Sequence, residues 1–134
     1  MIRNPLIPVA ALAAALTLVA TYANAASVPK NIAAAVADSN RPDADKQRDA
    51  NRKPAETLAF TGVKSGEQVA ELLPGGGYYT RIFSKAVGGS GHVYAVVPAP
   101  FPNAPPDAPD FAARVKAIAA DPNYSNVKIG RAHV

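Results

Sequence analysis

Apolar and polar positions change period several times along this chain, and the changes mark out its elements. Residues 69–73 form a short apolar run broken only by Glu71, which reads as a buried strand. From Tyr78 to Val87 the apolar positions Ile82, Phe83, Ala86 and Val87 fall at helical spacing, and Gly88-Gly89-Ser90-Gly91 closes that helix. Residues 92–97, His-Val-Tyr-Ala-Val-Val, form a second strand. A strand–helix–strand order with this crossover predicts two parallel strands joined by a right-handed connection.

The flanking segments read differently. Residues 31–37 predict a short Ala-rich helix that ends at Asp38-Ser39-Asn40. Pro42 suits a helical first turn. Asp43, Asp45, Lys46, Arg48, Asp49, Arg52 and Lys53 then alternate in sign, the pattern of a solvated, salt-bridged helix face. The competing reading is a lid helix whose Arg48, Asp49 or Arg52 reaches a pocket. Residues 54–60 predict another helix with Leu58 and Phe60 buried, and residues 61–66 a connecting turn. Beyond the second strand, prolines fill half of the positions 98–109 and predict a stiff, extended loop over the pocket mouth. Asp110 is placed to cap a helix over residues 111–120, with Phe111, Val115 and Ile118 on one side. Residues 121–125 turn the chain, and Asn126-Val127 opens a third strand.

The two ends stand apart from this pattern. Residues 1–25 have a basic start at Arg3, an apolar stretch and the small-residue pair Ala23 and Ala25, the layout of a secretory signal peptide cut after Ala25. The apolar stretch is interrupted by Pro8 and falls short of the roughly 20 residues of a membrane span, so no stable anchor is expected after cleavage. The destination is therefore periplasmic or extracellular. The absence of cysteine removes disulfides, thiol nucleophiles and thiolate metal ligands from consideration. Residues 129–134, Ile-Gly-Arg-Ala-His-Val, match one reading frame of a widely used sequencing adapter, and are expected to be a non-native read-through tail. Setting aside Arg3 and Arg131 lowers the 14 basic residues to 12 against 10 acidic ones, a charge of +2. With no dense basic stripe, no nucleic-acid partner is expected. The expected organisation is a leader (1–25), a helical segment (26–66), an α/β unit (67–128) and the tail (129–134).

The chemistry concentrates at Glu71 and the turn Pro74-Gly75-Gly76-Gly77-Tyr78. An acid at a strand end, a glycine turn and a helix start form a small-molecule site at the carboxyl edge of a parallel sheet. Glycines permit positive φ and close backbone approach, and the helix directs its free N–H groups at the same place. Tyr78, Tyr79 and His92 are the nearby side chains with acid–base chemistry, each also accounted for by packing. No histidine or carboxylate cluster has metal-ligand spacing, and no metal is expected.

Glu71 followed by Pro74-Gly75-Gly76-Gly77-Tyr78-Tyr79-Thr80 resembles the first motif of class I S-adenosylmethionine-dependent methyltransferases. The stretch Arg48-Asp49-Ala50-Asn51-Arg52-Lys53-Pro54-Ala55-Glu56 also resembles the approach to that motif in an exported branch of predicted methyltransferases. The resemblance implies an α/β, Rossmann-like methyltransferase fold, cut short after about two and a half strands and preceded by N-terminal helices. It implies S-adenosylmethionine as cofactor, with Glu71, Pro74, Gly75, Gly76, Gly77 and Tyr78 around its methionine part. Leu73 stands where many members have the first glycine, and Val97 where many have a ribose-binding acid. The acceptor and the catalytic residues are not assigned by the resemblance, and the fragment itself is expected to be inactive. Two rivals remain open at this stage: a non-enzymatic exported module of the same fold, and an envelope structural protein using the proline loop for contacts. An NAD-dependent enzyme is disfavoured, because the turn lacks Gly-x-Gly-x-x-Gly spacing.

Overall fold

The computed structural model describes residues 27–99, 103, 105, 110 and 112–132. The expected leader, most of the proline run, Phe111 and the last two residues lie outside the described residues.

The N-terminal region is a series of short helices: α1 (Lys30–Val36), α2 (Asp43–Lys46), α3 (Asp49–Arg52) and α4 (Pro54–Thr61). The charged stretch thus splits where one restarted helix was predicted. Lys53 explains the break before α4. A residue preceding proline is disfavoured in the right-handed helical region, and Lys53 adopts φ +44°, ψ 57°, closing α3 and opening α4. Within α4, Leu58 is fully buried while Phe60 is 93% exposed, against the prediction that both are buried. Two residues along a helix turn the side chain by about 200°, so the two positions cannot share a face.

The remaining elements are β1 (Gln68–Leu72), α5 (Tyr78–Val87), β2 (His92–Pro98), α6 (Ala113–Ala120), a single 3₁₀ turn (Pro122–Tyr124) and β3 (Val127–Ala132). The three strands form a parallel sheet in the order β1-β2-β3. The protein is therefore a mixed α/β structure in which helices precede and flank a three-stranded parallel sheet. Strand β3 is a full strand where only its entrance was predicted. It runs four residues past the expected limit at 128, with Arg131 opposite Val97 and Ala132 opposite Pro98.

The core lies on one face of the sheet. Val93, Ala95 and Val97 of β2 are buried and pack in a single cluster with Ile82, Ala86 and Val87 of α5, Ile32 of α1, Leu58 of α4 and Val115 of α6. The register puts Val69 and Val127 beside Val93, and Glu71 and Ile129 beside Ala95, on this same face. The opposite face carries Ala70, Tyr94 and Lys128 in one row, and Leu72, Val96 and Gly130 in the next. Tyr94 and Val96 are half-buried there, whereas Ala70 and Leu72 are exposed. The reading of β1 as a buried strand is thus corrected. A parallel strand is buried on both sides only when helices cover both faces of its sheet, and among the described residues they cover one.

Candidate functional site

Strand β1 ends in a turn of unusual backbone. The Leu73 N–H donates to the Val96 carbonyl at 3.0 Å, extending the ladder by one bond. Leu73 then takes φ +56°, the left-handed conformation that glycine adopts most cheaply. Gly75 follows at φ +57° and Gly77 at φ +79°, the latter capping α5. The Gly77 N–H donates to the Pro74 carbonyl at 2.9 Å, closing the turn.

The three glycines have different physical reasons. A Cβ on Gly75 would meet nothing within 4 Å, so its requirement is conformational and its surroundings are open. A Cβ on Gly77 would stand 2.0 Å from the Ile118 Cδ1, so Gly77 is also the point where α6 packs against the turn. Gly76 has neither constraint; a Cβ there would reach only ordinary contact with Arg114. The expectation that all three lie against a ligand therefore divides: Gly75 and Gly76 line open space, and Gly77 is buried against a helix.

Two depressions flank this turn, and Leu73, Pro74, Gly75 and Gly76 line both. The first, about 400 Å³, also takes in Glu71, Tyr78, Tyr79, Arg48 and Arg52. The second, about 490 Å³, takes in Val97, Pro98, Asp110 and Arg114. Of the six residues assigned to the site from sequence, Glu71, Pro74, Gly75, Gly76 and Tyr78 thus meet at the first depression.

Glu71 does not project off the strand end. It lies in the core-facing row, and its Oε2 accepts a 2.5 Å hydrogen bond from the hydroxyl of fully buried Thr80 in the first turn of α5. Burial raises its carboxyl above the usual range, and the Thr80 hydrogen bond opposes that rise. Its position suits hydrogen bonding to a cationic or N–H-bearing ligand group.

The charged N-terminal segment reaches the site, as the lid reading required. Arg48 and Arg52 line the first depression, while Lys46–Asp43 at 3.6 Å is a solvated pair of the other reading and Arg48 pairs at 3.8 Å with the largely shielded Asp45. Asp49 is turned the other way, into a polar knot. It receives two hydrogen bonds from the Arg41 guanidinium at 2.7 and 2.9 Å, and a third at 2.5 Å from the Tyr78 hydroxyl. Arg41, 2% exposed, also donates to the Val36 carbonyl. The Arg41 guanidinium holds the Asp49 carboxyl below the usual carboxylate range. Burial, with the Asp49 bond adding to it, pushes the Tyr78 hydroxyl up to about 12. Tyr78 is thus a neutral hydrogen-bond donor at physiological pH and unsuited to act as a base.

His92 is removed from the site by topology. It opens β2 opposite Gln68, at the end of the sheet away from the glycine turn. At the Val97 position the side chain is 3% exposed and apolar, and the carboxylate lining that depression is Asp110, which accepts from the Ala112 N–H at 2.9 Å and from Lys116 at 2.8 Å. Asp110 thus holds the turn before α6 instead of capping a helix over 111–120 as predicted: α6 begins at Ala113, its N-cap is Ala112, and no side chain caps it. No group of three potential metal ligands gathers among the described residues.

Sequence reasoning missed Thr80, Arg41 and Arg81. Thr80 had a signal, since the third residue of a helix after a tight turn returns over the preceding strand end. Arg81 donates to the Gly76 and Gly77 carbonyls at 3.2 Å each and to Asp45 at 3.1 Å, tying α2 to the turn. Comparison with protein-family models, curated proteins and solved structures gives no match for this chain.

Proposed function

We propose that this protein binds S-adenosylmethionine in the manner of a class I methyltransferase, within a Rossmann-like fold, and that it is exported. The carrying observation is the juxtaposition of half-buried Glu71 with the open, left-handed turn at Gly75, between a parallel strand and α5. Such a turn lets a ligand approach the backbone while the start of a ten-residue helix offers its unpaired N–H groups. The two flanking depressions are of a size for the two halves of an elongated nucleoside ligand. In this reading Glu71, Pro74, Gly75, Gly76 and Tyr78 surround the methionine part, and Gly77 supports them from behind. When bound, the cofactor supplies an electrophilic methyl group; the acceptor remains unassigned.

The test is isothermal titration calorimetry of the chain with S-adenosylhomocysteine, together with a methyl-transfer assay using labelled cofactor. Saturable binding supports the reading, and its absence at millimolar ligand sinks it. Export is tested separately by N-terminal sequencing of secreted material, which should begin at Ala26.

A non-enzymatic module of the same fold is the second reading, and Val97 favours it. An apolar, buried side chain there offers no contact to a ribose diol. Loss of such a charged contact costs on the order of 1.5–3 kcal/mol. Methyl transfer by the chain in the paired assays would rule out the module, and binding without transfer agrees with it.

A further inference from the structure

We propose that Arg48 and Arg52 form a carboxylate clamp on the wall of the first depression, so that the ligand taken there carries a carboxylate. The inference rests on the reading of the glycine turn as a ligand site and names the group recognised beside it.

Arg48 immediately precedes α3 and Arg52 ends it, four residues apart and so on the same side of one turn. Their guanidinium carbons lie 5.3 and 4.8 Å from the centroid of the Tyr78 ring, and that of Arg52 also lies 5.9 Å from the Tyr79 ring. Guanidinium groups held against aromatic rings keep their N–H edges available for an oxyanion. The platform is itself fixed: Tyr78 donates to Asp49, and Tyr79 donates to the Arg52 carbonyl at 3.3 Å.

Charge at this place is unbalanced. Arg41 also lies over Tyr78, at 5.4 Å, so three guanidinium groups converge on one ring. Asp49 is engaged by Arg41. Arg48 has only Asp45, at 3.8 Å, and Arg52 has no acidic partner within 4 Å among the described residues. Bringing like charges together without an anion is unfavourable, and an incoming carboxylate relieves it. A dianionic phosphate is disfavoured by Glu71 on the same cavity. The carboxylate has two possible sources, the amino-acid end of the cofactor or an acidic acceptor.

Calorimetry on the full chain distinguishes them, with wild type, R48Q and R52Q titrated with three probes. S-Adenosylhomocysteine carries the amino-acid end, 5′-methylthioadenosine lacks it, and benzoate supplies a free carboxylate. If the cofactor is the source, S-adenosylhomocysteine affinity falls roughly 10- to 100-fold in the variants, the worth of a charged hydrogen bond, while 5′-methylthioadenosine is unchanged. If the acceptor is the source, S-adenosylhomocysteine is unchanged and benzoate binding by wild type is lost in the variants. Equal weakening of both nucleosides means that the arginines act only by holding α3 on α5, and overturns the clamp. Nucleoside binding with no response of any probe to either substitution overturns it too, and leaves the cofactor reading standing. Benzoate binding that depends on the arginines without nucleoside binding has the opposite meaning: the clamp stands and the cofactor reading falls. No binding of any probe overturns both.

Discussion

The Tyr78 hydroxyl donates a 2.5 Å hydrogen bond to the Asp49 carboxylate, joining the first residue of α5 to the first residue of α3. The residue that starts the helix after the glycine turn is thereby held by the charged segment that precedes the sheet by some twenty residues. The same carboxylate neutralises buried Arg41, so the bond belongs to a three-residue knot.

Removing Asp49 strands the Arg41 guanidinium, whose side chain is fully shielded from solvent. Asp49→Asn is expected to cost about 2–4 kcal/mol, because breaking one side of a buried ion pair leaves an uncompensated charge. Tyr78→Phe should cost about 1 kcal/mol. The two should not add in a double-mutant cycle measured by urea unfolding. The pair also has a pH signature. Asp49 titrates below its unfolded value, so its contribution is present above about pH 4 and is lost as pH falls through the depressed value. Additive effects of the two substitutions would contradict the shared knot.

Gly77 and its neighbour Gly76 should respond to alanine to very different extents. At Gly77 the new Cβ meets Ile118 at 2.0 Å and the backbone is left-handed, so Gly77→Ala should destabilise by about 2 kcal/mol or more. At Gly76 there is room and ordinary φ, and the change should stay within about 0.5 kcal/mol. Thermal unfolding of the two variants decides it, and equal losses would mean that the division of roles within the turn is wrong.

Much of this arrangement was legible in the sequence where local pattern decides it. Helix α5 has the predicted bounds because its apolar spacing and the glycine after Val87 are both local. The exposure of Leu72 was not legible: an apolar strand pattern states what a residue tolerates, while burial depends on whether another layer covers that face. Arg41 was equally opaque, since its burial is made possible by Asp49 eight residues on and by a tyrosine 37 positions away. Glu71 reads from the sequence as the acid of the site, but its inward placement depends on Thr80 and on the one-sided packing of the sheet.

Leu73 stores conformational strain that glycine would relieve. Its φ of +56° costs a side-chain-bearing residue about 1–2 kcal/mol, and it is 72% exposed, so little burial is lost with the side chain. Glycine loses about 0.4–1 kcal/mol through the freer unfolded chain. Leu73→Gly is therefore expected to be neutral or stabilising by up to about 1 kcal/mol, whereas Leu73→Ala, which keeps the strain, should give no gain. As a contrast, Leu58→Ala in the buried core should lose about 2–5 kcal/mol. A loss of stability in Leu73→Gly comparable to that of Leu58→Ala would show that the leucine side chain is buried in solution.

Glu71 should trade stability for ligand recognition. Burial raises its carboxyl in the folded state, so the folded chain holds that proton more tightly than the unfolded chain. The sign follows from linkage: the associated stability is fully present below the unfolded pKa, and is lost as pH rises through the raised folded value. At neutral pH the charged carboxylate is therefore a burden on folding. Gln accepts the Thr80 hydroxyl hydrogen bond through its carbonyl oxygen and carries no charge. Glu71→Gln should accordingly raise the urea midpoint at pH 7 and leave it nearly unchanged at pH 4, where the native side chain is already largely protonated. On the proposed reading, in which Glu71 accepts from the ligand's ammonium group, the same variant should bind S-adenosylhomocysteine more weakly at pH 7, because that acceptor has lost its charge. A gain of equal size at both pH values would assign the effect to packing, and an undiminished affinity would remove Glu71 from the ligand site.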